Sequence, residues 1–164
     1  MFENTYQLLW LAATLVNGLV AGFMIGYALL LGRFLSWMMQ FSKRAEVRSA
    51  YVMFRQTHGR PGVILVYVLG ALQTLLGITF IVFSLTKGEN MGIAVVAGLS
   101  GVLWQAVYLF SGFGSAEKRV IGDTLEPDEK SIQDFTRLNV PLHIIFAAIS
   151  FIAFVLLLIL PFRV

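Results

Sequence analysis

The chain has 164 residues, 58% of them hydrophobic and 13% charged, with a mean hydropathy of +0.81. Soluble domains carry about a quarter charged residues, so this composition excludes an ordinary soluble fold and predicts an integral membrane protein. Cysteine is absent, which rules out disulfides, thiolate metal sites, iron–sulfur clusters and cysteine nucleophiles.

Four apolar stretches, at 8–32, 62–85, 91–113 and 140–162, each reach the roughly 20 helical residues that cross a hydrocarbon core. They are continuously apolar and do not alternate with period two, which argues against a β-barrel. The first lacks a basic leader and a small-residue cleavage site, so it is expected to stay in the mature chain. The expected fold is an all-α membrane protein: a four-transmembrane-helix bundle with two cytoplasmic amphipathic surface helices, forming a single integral membrane domain over 1–164.

In the first span, "GLVAGFMIGYALLLG" places Gly18, Gly22 and Gly26 at intervals of four, with Thr14 one step earlier in the same register. A face of small residues lets another helix approach the backbone closely. Thr14, Gly18, Gly22 and Gly26 are therefore the expected partner interface, facing other membrane protein subunits or a second copy.

Arg33, Lys43, Arg44, Arg48, Arg55 and Arg60 follow the first span, and Lys118, Arg119, Lys130 and Arg137 follow the third. Only Lys87 and Arg163 fall on the other side. This bias predicts that both long loops are cytoplasmic and both termini outside the cytoplasm, in a membrane such as the bacterial inner membrane. Within "SKRAEVRSAYVMFRQ", Val47, Tyr51 and Phe54 recur at helical spacing, with Arg44, Arg48 and Arg55 on a neighbouring face. That pattern predicts a basic amphipathic helix on the membrane surface, its arginines meeting anionic lipid headgroups. The juxtamembrane position assigns these arginines to lipid and not to nucleic acid.

His58 precedes "GRPG", which breaks the surface helix and starts the second span. Counting about 1.5 Å per residue from the span ends brings Asn17 and Gln73 both near the midplane, within reach of a mutual hydrogen bond. Small residues recur at Gly70 and Gly77, and at Ala94, Ala97, Gly98 and Gly101, which predicts close packing within the bundle. "SGFGSAEK" reads as a flexible helix exit. In "GDTLEPDEKSIQDFTRLNVP", Pro127, Asp128 and Glu129 suit a helix first turn, and Ile132, Phe135 and Leu138 repeat every three residues. A short surface helix is expected there, with a bend at Pro141 where the chain enters the membrane. The clustered acids Glu126, Asp128 and Glu129 read as a solvated helix N-terminus and not as a metal site.

No Asp, Glu, Lys or Arg lies inside the span interiors, which weighs against ion-coupled transport. The motifs G-x-S-x-G, H-E-x-x-H and G-x-G-x-x-G and the P-loop are all missing from the chain. His58 and His143 both fall on the cytoplasmic side, and a convergent pair would be able to ligate haem or serve a quinone headgroup.

"LLLGRFLSWM" resembles the end of the first helix in the HemJ-type protoporphyrinogen oxidase family, where Leu-Pro-Arg-Leu/Phe occurs; Arg33 matches the arginine and Gly32 replaces the proline. "FTRLNVPLHIIFAAISFIAFVLLLILPF" is similar to the last helix of that family, with Arg137, Asn139, Pro141, Pro161 and Phe162 in corresponding places. The overall plan also resembles CopD-like and anthrone-oxygenase-like membrane domains. The resemblance implies a small four-helix membrane scaffold and adds Arg33 and Asn139 to the histidines as cofactor-binding positions. This chain has Leu8, Leu9 and Trp10 where HemJ-type proteins carry an early histidine, and Val140 where an acidic residue normally stands. Two functions follow as expectations. One is a non-catalytic integral membrane subunit or assembly factor; the alternative is a small membrane redox enzyme, or a haem- or quinone-associated protein, using His58 and His143.

Overall fold

Long apolar runs with few helix breakers fold here as helices, and the computed structural model describes residues 2–40, 45–58, 60–88, 91–121 and 128–159. In chain order these are α1 (Phe2–Gly26), a π-helical turn (Tyr27–Gly32), α2 (Arg33–Gln40), α3 (Ala45–Thr57), α4 (Arg60–Lys87), α5 (Met91–Gly98), α6 (Ser100–Phe110), α7 (Phe113–Ile121) and α8 (Glu129–Ile159). No strand occurs among the described residues. Four helical stretches are long and apolar enough to cross a membrane: Thr5–Gln40, Ile64–Lys87, Met91–Phe110 and Glu129–Ile159.

The first stretch runs past the expected end at 32 to Gln40, because α1, the π turn and α2 follow one another without a break. At 36 residues it is roughly 54 Å long, well beyond a hydrocarbon core. α5 and α6 are also nearly continuous across Leu99, whose amide bonds the Val95 carbonyl at 3.0 Å while its own carbonyl accepts from Leu103 at 2.9 Å.

The segment after α6 differs from expectation. Gly112, at φ 77°, takes a left-handed conformation that side chains disfavour, and the chain turns directly into α7. Thus "SGFGSAEK" supplies a helix and not merely an exit. The anticipated short helix before the fourth span is instead the first part of α8, which continues through Pro141. Asp128 starts it: Oδ1 accepts from the Ser131 amide at 2.8 Å and Oδ2 from the Ser131 hydroxyl at 2.8 Å, satisfying a donor that the first turn leaves open. Ile132 and Phe135 are buried and Leu138 packs against the same core, as their spacing predicts.

α8 is the central element, packing on α1, α2, α5, α6, the π turn and α7. Backbone contact fixes α4 against α5 and α6. A Cβ added at Gly98 would lie 2.6 Å from the Gly77 carbonyl oxygen, and one at Gly101 would lie 2.6 Å from Thr74 Oγ1. Such proximity gains dispersion contacts that larger residues would prevent. Two apolar clusters result. One holds Val20, Trp104, Phe113, Phe135 and Phe146; the other holds Ala13, Phe80, Ala97, Ala153 and Leu157.

Candidate functional site

Between the two apolar clusters lies a layer of buried polar side chains contributed by all four long helical stretches. Gln73 Nε2 is 2.7 Å from Asn17 Oδ1, 3.1 Å from Ser100 Oγ and 3.2 Å from Ser150 Oγ. Gln73 Oε1 accepts from the Trp104 indole at 2.7 Å. Ser100 donates to Asn17 Oδ1 at 2.8 Å, and Asn17 Nδ2 donates to the Ala13 carbonyl at 2.8 Å. With two amide hydrogens facing three acceptors, Gln73 can alternate partners without leaving its place. Asn17, Gln73, Ser100 and Ser150 are each at most 2% exposed. The expected Asn17–Gln73 bond is therefore present, inside a larger network. All its members are neutral, so it aligns helices and carries no proton-transfer group.

A second polar node sits beside the π turn. That turn, starting at Tyr27, carries the Tyr27 hydroxyl to 3.1 Å from Asn139 Oδ1. Asn139, fully buried, directs Nδ2 at the Gly32 carbonyl and at Ser36 Oγ, both at 3.3 Å. π-helical turns widen the backbone and occur often at functional sites. One turn further along α8, His143 Nδ1 is 2.6 Å from the Asn139 carbonyl. A carbonyl only accepts, so Nδ1 carries the hydrogen in this contact and Nε2 keeps the lone pair. The imidazole lies among three rings: Tyr27 at 4.1 Å and 31°, Phe113 at 5.7 Å and 86°, and Phe146 at 5.7 Å and 64°.

Of the four anticipated cofactor-binding residues, the fold thus joins Asn139 and His143. His58 does not converge with them. It stands exposed at the end of α3, against Phe54 at 5.7 Å, and shares neither a hydrogen bond nor a ring contact with His143 among the described residues. His143 is instead flanked by Tyr27 of the π turn, Phe113 of α7 and Phe146 of α8. Arg33 is exposed. No three His, Asp or Glu side chains gather into a potential metal site among the described residues.

The small-residue ladder divides. Thr14 is buried and donates to the Trp10 carbonyl at 2.8 Å, and a Cβ at Gly18 would lie 3.1 Å from the Phe154 ring. Gly22 and Gly26 are exposed, with nothing within 4 Å of an added Cβ. A four-residue step on a helix of 3.6 residues per turn rotates about 40° each time, so the ladder winds from the core to the outer surface.

On α3, Val52 is fully buried against the protein while Met53 and Phe54 are 57% and 56% exposed; the side chains of Val47 and Tyr51 lie outside the described residues. Arg44 lies outside the described residues, as do the side chains of Arg48 and Arg55.

The chain matches no family model, no curated protein and no solved structure. Sequence reasoning missed Tyr27, Ser36 and Trp104 as polar partners. Tyr27 had one available signal, its place directly after the glycine ladder and one helical turn or so before Gly32 and Arg33.

Proposed function

We propose that this protein is an integral membrane subunit or assembly factor without catalytic activity, and that Gly22 and Gly26 receive another transmembrane helix, of a larger complex or of a second copy. The carrying observation is the open backbone at these two glycines. They lie in the middle of an outward face bordered by Leu15, Leu19 and Leu29, all more than half exposed. Internal packing makes no use of them, because α4 and α5–α6 have their own glycine contacts. In lipid, exposed leucine costs nothing, whereas a bare notch between leucines offers the close approach that draws helices together.

The proposed orientation has both termini outside the cytoplasm, with 33–60 and 114–139 cytoplasmic, in a bacterial inner membrane. Two experiments test these readings. Gly22→Leu purified in mild detergent should melt like the wild type and lose its crosslinked or co-purified helix partner. Retained association, or an early melt, overturns the interface. For orientation, Ser49→Cys should resist labelling from outside intact cells, and labelling there reverses the topology.

A second reading rests on His143. Its Nε2 lone pair is uncommitted among the described residues, and its Nδ1–H is held by a backbone carbonyl, the arrangement that orients ligating imidazoles. If a haem or quinone associates, His143 is the contact, with Asn139 positioning it; His58 shares no hydrogen bond or ring contact with His143 among the described residues. A Soret band in the mildly solubilised protein, lost in His143→Ala, supports this reading, and a spectrum without one removes haem from it.

A further inference from the structure

We propose that the end of the bundle bearing α2, α3, α7 and the start of α8 is a collar that binds anionic phospholipid headgroups. The proposal rests on the membrane-embedded reading above and adds a ligand class to it. Its first support is a set of exposed cations without partners. The described carboxylates at this end have internal partners: Glu117 accepts from the Tyr108 hydroxyl at 3.0 Å, Asp134 pairs with Arg119 at 3.6 Å, and Asp128 caps α8 through Ser131. Glu129 also interacts within the chain. Arg33, Lys118, Lys130 and Arg137, by contrast, are exposed and have no ion pair or side-chain hydrogen bond among the described residues.

These cations are spread over one end of the molecule, with Lys130 and Arg137 about two turns apart on α8. Arg33 adjoins Gly32, whose carbonyl accepts from Asn139, and Arg137 is two residues from Asn139 on α8. Lys118 stands on α7, which packs against α8, and Lys130 is in the first turn of α8.

The second support is apolar exposure at the same end. Phe34 is 52% exposed next to Arg33, and Phe54 is 56% exposed on α3 while Val52, on the same helix, is fully buried. A helix with one apolar residue turned into the protein and another turned out is suited to lie between a protein and an acyl-chain boundary. Aromatic side chains interleaved with unpaired cations match the headgroup layer, where rings sit at the interface and arginine or lysine meets phosphate. An acidic soluble protein would satisfy the charges but would leave Phe34 and Phe54 to water.

The test uses the full chain in nanodiscs of phosphatidylcholine alone or mixed with phosphatidylglycerol. Incorporation into both reports insertion itself, so failure there strikes the membrane reading and not the collar. Given incorporation, native mass spectrometry should show phosphatidylglycerol retained in preference to phosphatidylcholine. Arg33→Gln and Arg137→Gln should each lower that preference roughly fivefold, and more weakly at high salt. A fluorophore at Phe54→Cys should be quenched by lipid-borne quenchers and protected from aqueous iodide. Equal retention of both lipids, no effect of either substitution, or iodide quenching at residue 54 overturns the proposal. Circular dichroism of each variant separates loss of binding from loss of fold.

Discussion

The Gln73 side-chain amide stands 2.7 Å from Asn17 Oδ1, and through it α4 is joined to α1, to α6 and to α8 in one plane. Loss of Gln73 leaves the Trp104 indole and Asn17 short of partners in a buried layer. Gln73→Leu is expected to cost about 1–3 kcal/mol, more than Ser150→Ala, which removes a single alternative acceptor. Equilibrium unfolding in mixed micelles checks the order. Equal losses would show that the layer does not act as one network.

The glycine contacts between α4 and α5–α6 predict the opposite behaviour from Gly22. Gly77→Leu has the Gly98 backbone in its path and should destabilise by about 1–3 kcal/mol or more, because both sides are main chain with little room to yield. Thermal melts of Gly77→Leu and Gly22→Leu in one detergent should separate clearly.

His143 contributes chiefly by ring packing. His143→Phe keeps an aromatic body among Tyr27, Phe113 and Phe146 and gives up the bond to the Asn139 carbonyl, an expected cost of about 1 kcal/mol. His143→Ala empties the same space and should cost about 3 kcal/mol or more. If the two variants melt together, the ring packing is not what matters.

Asp128 gives the start of α8 a defined acid sensitivity. Bonds from the Ser131 amide and then from the Ser131 hydroxyl favour its carboxylate, holding it below the usual aspartate range. The unfolded chain lacks these bonds and titrates near about 3.9. The stabilisation is thus complete above that pH and is lost as pH falls through the lower folded value. Protection of the Ser131 amide, the slowing of its exchange relative to that of an unstructured chain at the same pH, should fall on acidification over that window, and in Asp128→Asn this acid step should vanish.

Much of the scaffold was legible because hydrophobic length and residue count are local quantities. They located four apolar helices, and counting residues from the span ends brought Asn17 level with Gln73. The ladder misled because an interval of four looks like a single face in text, although each step turns it away from α8. The proposed His58–His143 pair depended on which helices are neighbours, and α7 supplies Phe113 to the His143 ring where His58 was expected. The π turn left no composition signal, since Tyr27, Ala28 and the leucines before Gly32 would suit an ordinary helix equally well. Pro141 is exposed on α8, which continues through it; losing one amide does not stop a helix anchored on both sides of the residue by Asn139 and Phe146.

The packing of α8 also bears on biogenesis. It is the last described helix to leave the ribosome, yet it touches the π turn, α1, α2, α5, α6 and α7. Until it arrives, Gln73 lacks the Ser150 acceptor, Tyr27 lacks Asn139, and α1 is left with α4 as its main neighbour. On the membrane-embedded reading proposed above, a stalled or truncated nascent chain presents a cleft with polar groups at mid-depth, a recognisable substrate for membrane quality control. Completion of the fourth span closes that cleft in one step, so the finished protein and its precursors should differ sharply in their susceptibility to intramembrane proteases.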